Sequence, residues 1–188
     1  MTAPQQVSLT PIPILPGEPE YQKILEWPFP AAPFYEAQVS RILAQDMQNW
    51  ISNSYGQAWS FRDPGGAVVG FGTLALNDLY HDYSGGLRHM YIPVLGLHPE
   101  FRGKGYGRKI IEYLLVVATT FVQWSAYAEE FLSDFLFLDV YASNKPAIRL
   151  YEKCGFVILN PETAIPDHEQ DAAEYFVMAT QLDIEFPK

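Results

Sequence analysis

Hydrophobic positions along this chain change period several times, and each change marks an element. Residues 6–15 alternate loosely through Val7, Leu9, Ile12 and Ile14. Pro11 and Pro13 confine that stretch to an edge strand, because proline brings no N–H to a central ladder. Glu18-Pro19-Glu20 opens a short helix to about Trp27, with proline early, where its missing donor costs nothing. Pro28, Pro30 and Pro33 break it; Val39, Ile42, Leu43 and Met47 then keep helical spacing and predict a helix over 34–52. Gln57–Arg62 and Ala67–Ala75 read as two strands joined by Asp63-Pro64-Gly65-Gly66, a strong turn signal. Residues 77–88 form a polar, aromatic loop before a fourth strand, His89–Leu97. From Tyr106 a wide apolar face (Ile110, Ile111, Leu114, Leu115, Ala118, Phe121, Val122) predicts a long helix.

Downstream, residues 125–134 read as an acidic extension or loop, and Phe135–Tyr141 as a dense apolar run, the pattern of a parallel strand buried on both faces. A helix over Pro146–Cys154 ends at Gly155, a residue suited to the left-handed position after a helix. Phe156–Leu159 is the next strand. A loop with Glu162, Asp167, Glu169, Asp171 and Glu174 leads to a last strand, Tyr175–Leu182. Without an internal repeat or a linker, the chain reads as one mixed α/β domain, 1–188.

Composition narrows the picture. With 188 residues and 48% apolar positions, the chain can bury a sizeable core. The longest apolar stretch, Ile110–Val122, contains Glu112 and is too short to span a bilayer. No basic-then-apolar leader precedes the domain, and the single cysteine, Cys154, suits a reducing compartment, so a cytoplasmic location is expected. Cys154 is read as a small core residue rather than a nucleophile. The net charge of −10 argues against nucleic acid and anionic membrane as partners. Yet Arg102, Lys104, Arg108 and Lys109, four of the twelve Lys and Arg, fall within eight positions and beside glycines. In an acidic chain that grouping favours an anion site.

The cationic group lies in Arg102-Gly103-Lys104-Gly105-Tyr106-Gly107-Arg108, between the fourth strand and the long helix. Glycines turn tightly and leave N–H groups uncovered, and a helix start adds unpaired donors, so a phosphate or pyrophosphate is the expected ligand. Two common nucleotide loops are excluded. A P-loop lysine is followed by Ser or Thr, but Gly105 follows Lys104. The dinucleotide fingerprint needs glycines at positions one, three and six, and counting from Gly103 or Gly105 the sixth residue is Arg108 or Ile110. What remains, Arg-x-x-Gly-x-Gly at 102–107, resembles the pyrophosphate loop of the GCN5-related N-acetyltransferase (GNAT) family. A second stretch is similar to that family's other motif: Leu138 to Val140, then Asn144, Pro146-Ala147, and Leu150-Tyr151-x-x-x-Gly155-Phe156. The match covers roughly 90–160, and the early helical region, which lines the acceptor side in that family, is not distinctive.

The resemblance implies a mostly antiparallel central sheet of six to seven strands with helices on both faces, its fourth and fifth strands parallel and splayed. It also implies acetyl-CoA as co-substrate. Backbone groups of Leu95 and Leu97 would bind the pantetheine arm, with Leu97 at the thioester carbonyl. Arg102, Gly103, Lys104, Gly105, Tyr106, Gly107 and Arg108 would hold the diphosphate, and Asn144 would contact the coenzyme. Tyr151 falls where relatives place a general acid, and a phenol matches the basicity of a coenzyme thiolate; packing the helix onto the sheet is the other reading.

The general base is less defined. Some relatives carry Glu or His eleven residues before the loop arginine, where this chain has Tyr91, a poor base but a residue able to order water. His89 and His98 are further candidates, although His98 beside Pro99 also suits a strand-end cap. His81, Asp82 and Tyr83 are candidate acceptor contacts. No metal-ligand spacing is legible, and no metal is expected. The expected reaction is direct transfer of acetyl to a primary amine of a small molecule or protein, with a cationic acceptor favoured by the acidic balance. The alternative is an acyl-CoA sensor without turnover. An enzyme acting on aminoacyl-tRNA is disfavoured by the charge. Monomer and homodimer both remain open.

Overall fold

Residues 8–15, 18–27, 56–127, 132–161, 165–166 and 174–184 are described by the computed structural model of the protein. The expected helix over 34–52 and the carboxylates Glu162, Asp167, Glu169 and Asp171 lie outside them. In chain order the elements are β1 (Thr10–Ile14), α1 (Pro19–Leu25), β2 (Gly56–Arg62), β3 (Val68–Asn77), α2 (His81–Ser84), β4 (His89–Ile92), β5 (Leu95–Leu97), a 3₁₀ turn (Pro99–Phe101), α3 (Tyr106–Tyr127), β6 (Phe135–Tyr141), α4 (Lys145–Lys153), β7 (Val157–Ile158), β8 (Ile165–Pro166) and β9 (Glu174–Gln181). The chain divides into two units: Met1–Leu74 with Val94–Leu114, and Ala75–Pro93 with Leu115–Lys188.

In the first unit β1 forms the edge, antiparallel to β2 from Thr10↔Arg62 to Ile14↔Ala58, which is where two prolines are tolerated. Pro19 follows Glu18 at the start of α1, and Glu20 in its first turn accepts hydrogen bonds from Ser60 and Arg62 of β2. The β2–β3 turn closes as its sequence predicts: the Asp63 carboxylate accepts from Ala67 N at 2.9 Å, and Gly66 takes φ 84°. β5 pairs antiparallel with β3, Gly70↔Leu97 to Gly72↔Leu95. The first turns of α3 press on the same glycines. A Cβ on Gly70 would lie 2.6 Å from Ile110 Cδ1, and one on Gly72 3.0 Å from Leu114 Cδ1.

In the second unit the end of β3 pairs with β4, β4 runs parallel to β6, and β6 runs antiparallel to β9, which also carries the short β7 and β8. Alternation along β6 and β9 puts Phe137, Val177 and Ala179 on one buried face, with Tyr80, Tyr91, Phe135, Leu159 and Tyr175 packed against them. The architecture is the expected mixed, largely antiparallel sheet with flanking helices and one parallel pair. Among the described residues it has nine strands rather than six or seven. Two-residue β8 was not expected, and the fourth strand is split at Pro93.

That split has a local cause. Between the pairs Ala75↔Tyr91 and Gly72↔Leu95, β3 contributes Thr73 and Leu74, while the opposite strand contributes Ile92, Pro93 and Val94. One residue is inserted, a bulge at the position where proline lacks its donor. Thr73, fully buried, closes it: its N–H and hydroxyl both donate to Val94 O at 3.0 Å, and its oxygen accepts from Val94 N at 3.0 Å. The parallel ladder to β6 runs from Met90↔Leu136 to Ile92↔Leu138 and stops there. Among the described residues no helix is long and apolar enough to cross a membrane.

Candidate active site

The first unit carries a main-chain site. His98 N donates to Val69 O at 3.0 Å and Thr73 N to Val94 O at 3.0 Å, so residues 94, 96 and 98 turn their polar groups toward β3. By the two-residue alternation of an antiparallel pair, the N–H and C=O groups of Leu95 and Leu97 point to the other side. Gly96 allows the close pairing: a Cβ there would sit 2.3 Å from Phe71 Cε1. Beyond β5, His98 Nδ1 accepts from Glu100 N at 3.4 Å and caps the 3₁₀ turn, as its place beside Pro99 suggested. Its ring stands edge-on to Trp27 at 5.2 Å.

The glycine loop follows. Gly103 and Gly105 take φ 72° and 87°, conformations that disfavour other residues. α3 starts at Tyr106 with no acidic side chain in its first turn, so the positive end of its dipole is uncompensated there. The charged side chains divide. Arg102 reaches back to Leu97 O through Nε and Nη2, both at 3.4 Å, and Lys104 Nζ lies 5.3 Å from the centre of the Phe101 ring. Arg108 and Lys109 both bond to Glu112, at 2.9 and 2.7 Å. That pairing holds the Glu112 carboxyl below its ordinary range, Lys109 contributing most. Chain order alone did not expose this internal partner. The loop, with its glycines, main-chain donors and two cations not held by Glu112, fits a diphosphate.

The second unit carries the tyrosine site. Asn144 Oδ1 caps α4 by accepting from Ala147 N at 3.3 Å, so the asparagine expected at the coenzyme has a helix-starting role as well. At the other end of α4, Gly155 adopts φ 92°, its N–H donates to Glu152 O, and Phe156 N donates to Tyr151 O at 3.1 Å. This is a Schellman closure, and its usual apolar contact is present: the rings of Tyr151 and Phe156 lie 5.9 Å apart. The spacing Tyr-x-x-x-Gly-Phe is thus a device that fixes a buried tyrosine at the end of a helix. Cys154, half-buried, forms the cap itself.

A third group, also in the second unit, was not anticipated. Asp139 of β6 accepts a hydrogen bond from Tyr91 Oη at 2.8 Å and another from Tyr80 Oη. Burial raises the Asp139 carboxyl above its ordinary value, with the two phenol bonds opposing. Burial, then the Asp139 charge, raises both tyrosines far above theirs. His89, fully buried, stacks on Tyr80 at 5.7 Å and lies 4.4 Å from Phe137. Burial lowers its basicity, and the nearby Leu87 carbonyl offsets this only in part. Among the described residues, neither ring nitrogen makes a hydrogen bond of ordinary geometry.

Residues 20–156 match the acetyltransferase (GNAT) family. The chain belongs to that family. A GNAT protein is an acyltransferase, and the fold agrees. Spermidine N-acetyltransferase from Vibrio cholerae, solved with CoA and spermine, aligns over 93% of this chain and 95% of its own at TM-score 0.61 and 18% identity. A putative GNAT acetyltransferase from Desulfovibrio desulfuricans aligns over 93% and 99% at TM-score 0.66 and 10% identity. Nourseothricin acetyltransferase aligns over 69% and 67% at TM-score 0.51 and 21% identity. No curated protein matches the sequence significantly.

Set in the GNAT chain, the residues singled out from sequence fall into groups. Leu95, Leu97, Arg102, Gly103, Lys104, Gly105, Tyr106, Gly107 and Arg108 form one continuous segment of the first unit. Tyr91 is bonded to a carboxylate, which sequence reading did not foresee. His89 is buried away from solvent and His98 is a cap. His81, Asp82 and Tyr83 are exposed on α2, with His81 Nε2 3.8 Å from Asp78; the residues of that segment that turn inward are their neighbours Tyr80 and Ser84. Among the described residues no group of His, Cys, Asp and Glu is arranged to hold a metal.

Proposed function

We propose that the whole chain is one N-acetyltransferase domain that moves the acetyl group of acetyl-CoA to an amine by direct attack. The observation that carries the reading is the segment from Leu95 to Arg108: outward-facing main-chain groups, then a positive-φ glycine loop at the open end of a long helix. Such a segment suits a thioester arm followed by a diphosphate. In the transfer a neutral amine nitrogen bonds to the acetyl carbon, the C–S bond breaks, the nitrogen releases a proton to solvent, and the coenzyme thiolate takes a proton from a donor that solvent then reprotonates. Tyr151, fixed by the closure at Gly155–Phe156, is the proposed donor of that proton. The net charge of −10 supports a cationic acceptor, as do the fold neighbours named for spermidine and nourseothricin.

The test is amine-dependent release of free thiol from acetyl-CoA across polyamines, aminoglycosides and peptide amines. Turnover with at least one amine is expected, and Tyr151→Phe is expected to lower kcat by about 10² or more while coenzyme binding persists. Tight coenzyme binding with no amine-dependent thiol release would instead identify a sensor.

A further inference from the structure

We infer that the face carrying Asp139, Tyr80 and Tyr91 is the recognition site for the acceptor's ammonium group, an organic cation held by one carboxylate among aromatic rings. This deepens the acceptor side of the transferase reading and rests on it, but it stands on its own geometry. β6 is a run of apolar residues interrupted by a single charge, Asp139. A carboxylate drawn out of water is costly unless a counter-charge accompanies it. Two phenols donate to Asp139, yet they bring dipoles rather than charge, and among the described residues no Lys or Arg pairs with it.

The surroundings suit a cation. Tyr80 lies 6.0 Å from Tyr91, 5.7 Å from His89 and 5.6 Å from Phe137, centroid to centroid, and Tyr175 is close enough to act on both tyrosines. The faces of such rings attract ammonium groups. Phe137, Val177 and Ala179 form the buried floor, while Asp139, Tyr80, Tyr91 and Tyr175 each keep part of their surface exposed. His89 is an independent observation: among the described residues its two ring nitrogens find only the poorly placed Leu87 carbonyl, so this fully buried imidazole packed on Tyr80 is a polar group that the core satisfies incompletely. Burial makes His89 harder to protonate, with Asp78 and His81 the charged groups that act on it, and Asp139 is the carboxylate that Tyr80 and Tyr91 contact in this cluster.

The experiment is calorimetric titration of the full chain with spermidine and, separately, with tetramethylammonium, which cannot be acetylated. Asp139→Asn keeps an oxygen for both phenols and removes the charge. It is expected to weaken both cations by about 30-fold or more, as the loss of a partly desolvated charge pair implies. Asp183→Asn, which removes an exposed carboxylate elsewhere, is expected to change affinity less than about twofold. Unchanged affinity in Asp139→Asn, or no cation binding by the wild type, overturns the inference. Should Asp139→Asn fail to fold, labelled tyrosine in the wild type decides. Cation-induced shifts at Tyr80 and Tyr91, with Tyr113 unmoved, support the site; shifts confined to other tyrosines overturn it. Cation binding at Asp139 without thiol release from any amine overturns the transferase reading alone. Thiol release with an unchanged amine KM in Asp139→Asn overturns this inference alone.

Discussion

The glycine loop at 102–107 and the aromatic face around Asp139 solve opposite problems with opposite materials. The loop is exposed and built from main chain: positive-φ glycines, a helix start, and side chains that bond locally or to Glu112. The aromatic face is half-buried and built from side chains on β4, β6 and the segment before α2, separated in sequence by 59 and 48 residues. A main-chain site is intolerant of added atoms but indifferent to most side-chain losses. A side-chain site is the reverse, and it also carries the electrostatic cost of a buried charge. The two should therefore fail differently.

The largest expected difference comes from one methyl group on the main-chain side. Gly96→Ala sets a Cβ 2.3 Å from Phe71, itself fully buried against the same strand pair. A loss of about 3 kcal/mol is expected in urea melts, the upper range for overpacking; a near-neutral result would show that β5 shifts freely. On the aromatic face, His89→Phe keeps the ring contacts and removes a buried titrating group. Burial makes the wild-type imidazole harder to protonate when folded, whereas it charges below its ordinary value of 6.5 once unfolded. Stability is then complete above that pH and is lost as pH falls below it, because the unfolded chain binds the extra proton. The wild type should lose up to about 1.4 kcal/mol per pH unit more than the variant, the limit for one proton. Parallel acid limbs in chemical melts at stepped pH would mean that His89 is not held neutral. The smallest effect belongs to Glu112→Gln. Exposed pairs on a helix contribute little, so a cost of about 0.3–0.5 kcal/mol is expected, vanishing in about 1 M salt. A cost surviving high salt would make the loop's side chains more than local partners.

The same contrast explains what was legible in the chain. The glycine loop, the helix from Tyr106, the strand Phe135–Tyr141 and the α4 motif could be read because each is contiguous, and its chemistry depends on spacing. Pro93 announced a defect in the fourth strand, but not that Thr73, twenty-one residues before Val94, would close it. Asp139 carried a signal that a periodicity reading passes over, a lone charge inside an apolar strand, which always asks for a partner. Tyr80 carried none. Its neighbours His81, Asp82 and Tyr83 looked more chemical, and only folding shows that they stay exposed while Tyr80 turns inward. Contacts set by strand register are invisible until the register is known.

The Schellman closure of α4 bears on how Tyr151 is inherited. Its ring rests on Phe156, and its carbonyl accepts from Phe156 N, so its bearing is set four and five residues later in the chain, at Gly155 and Phe156. A lineage that kept the tyrosine but exchanged that glycine would keep the phenol and lose the closure that sets its direction.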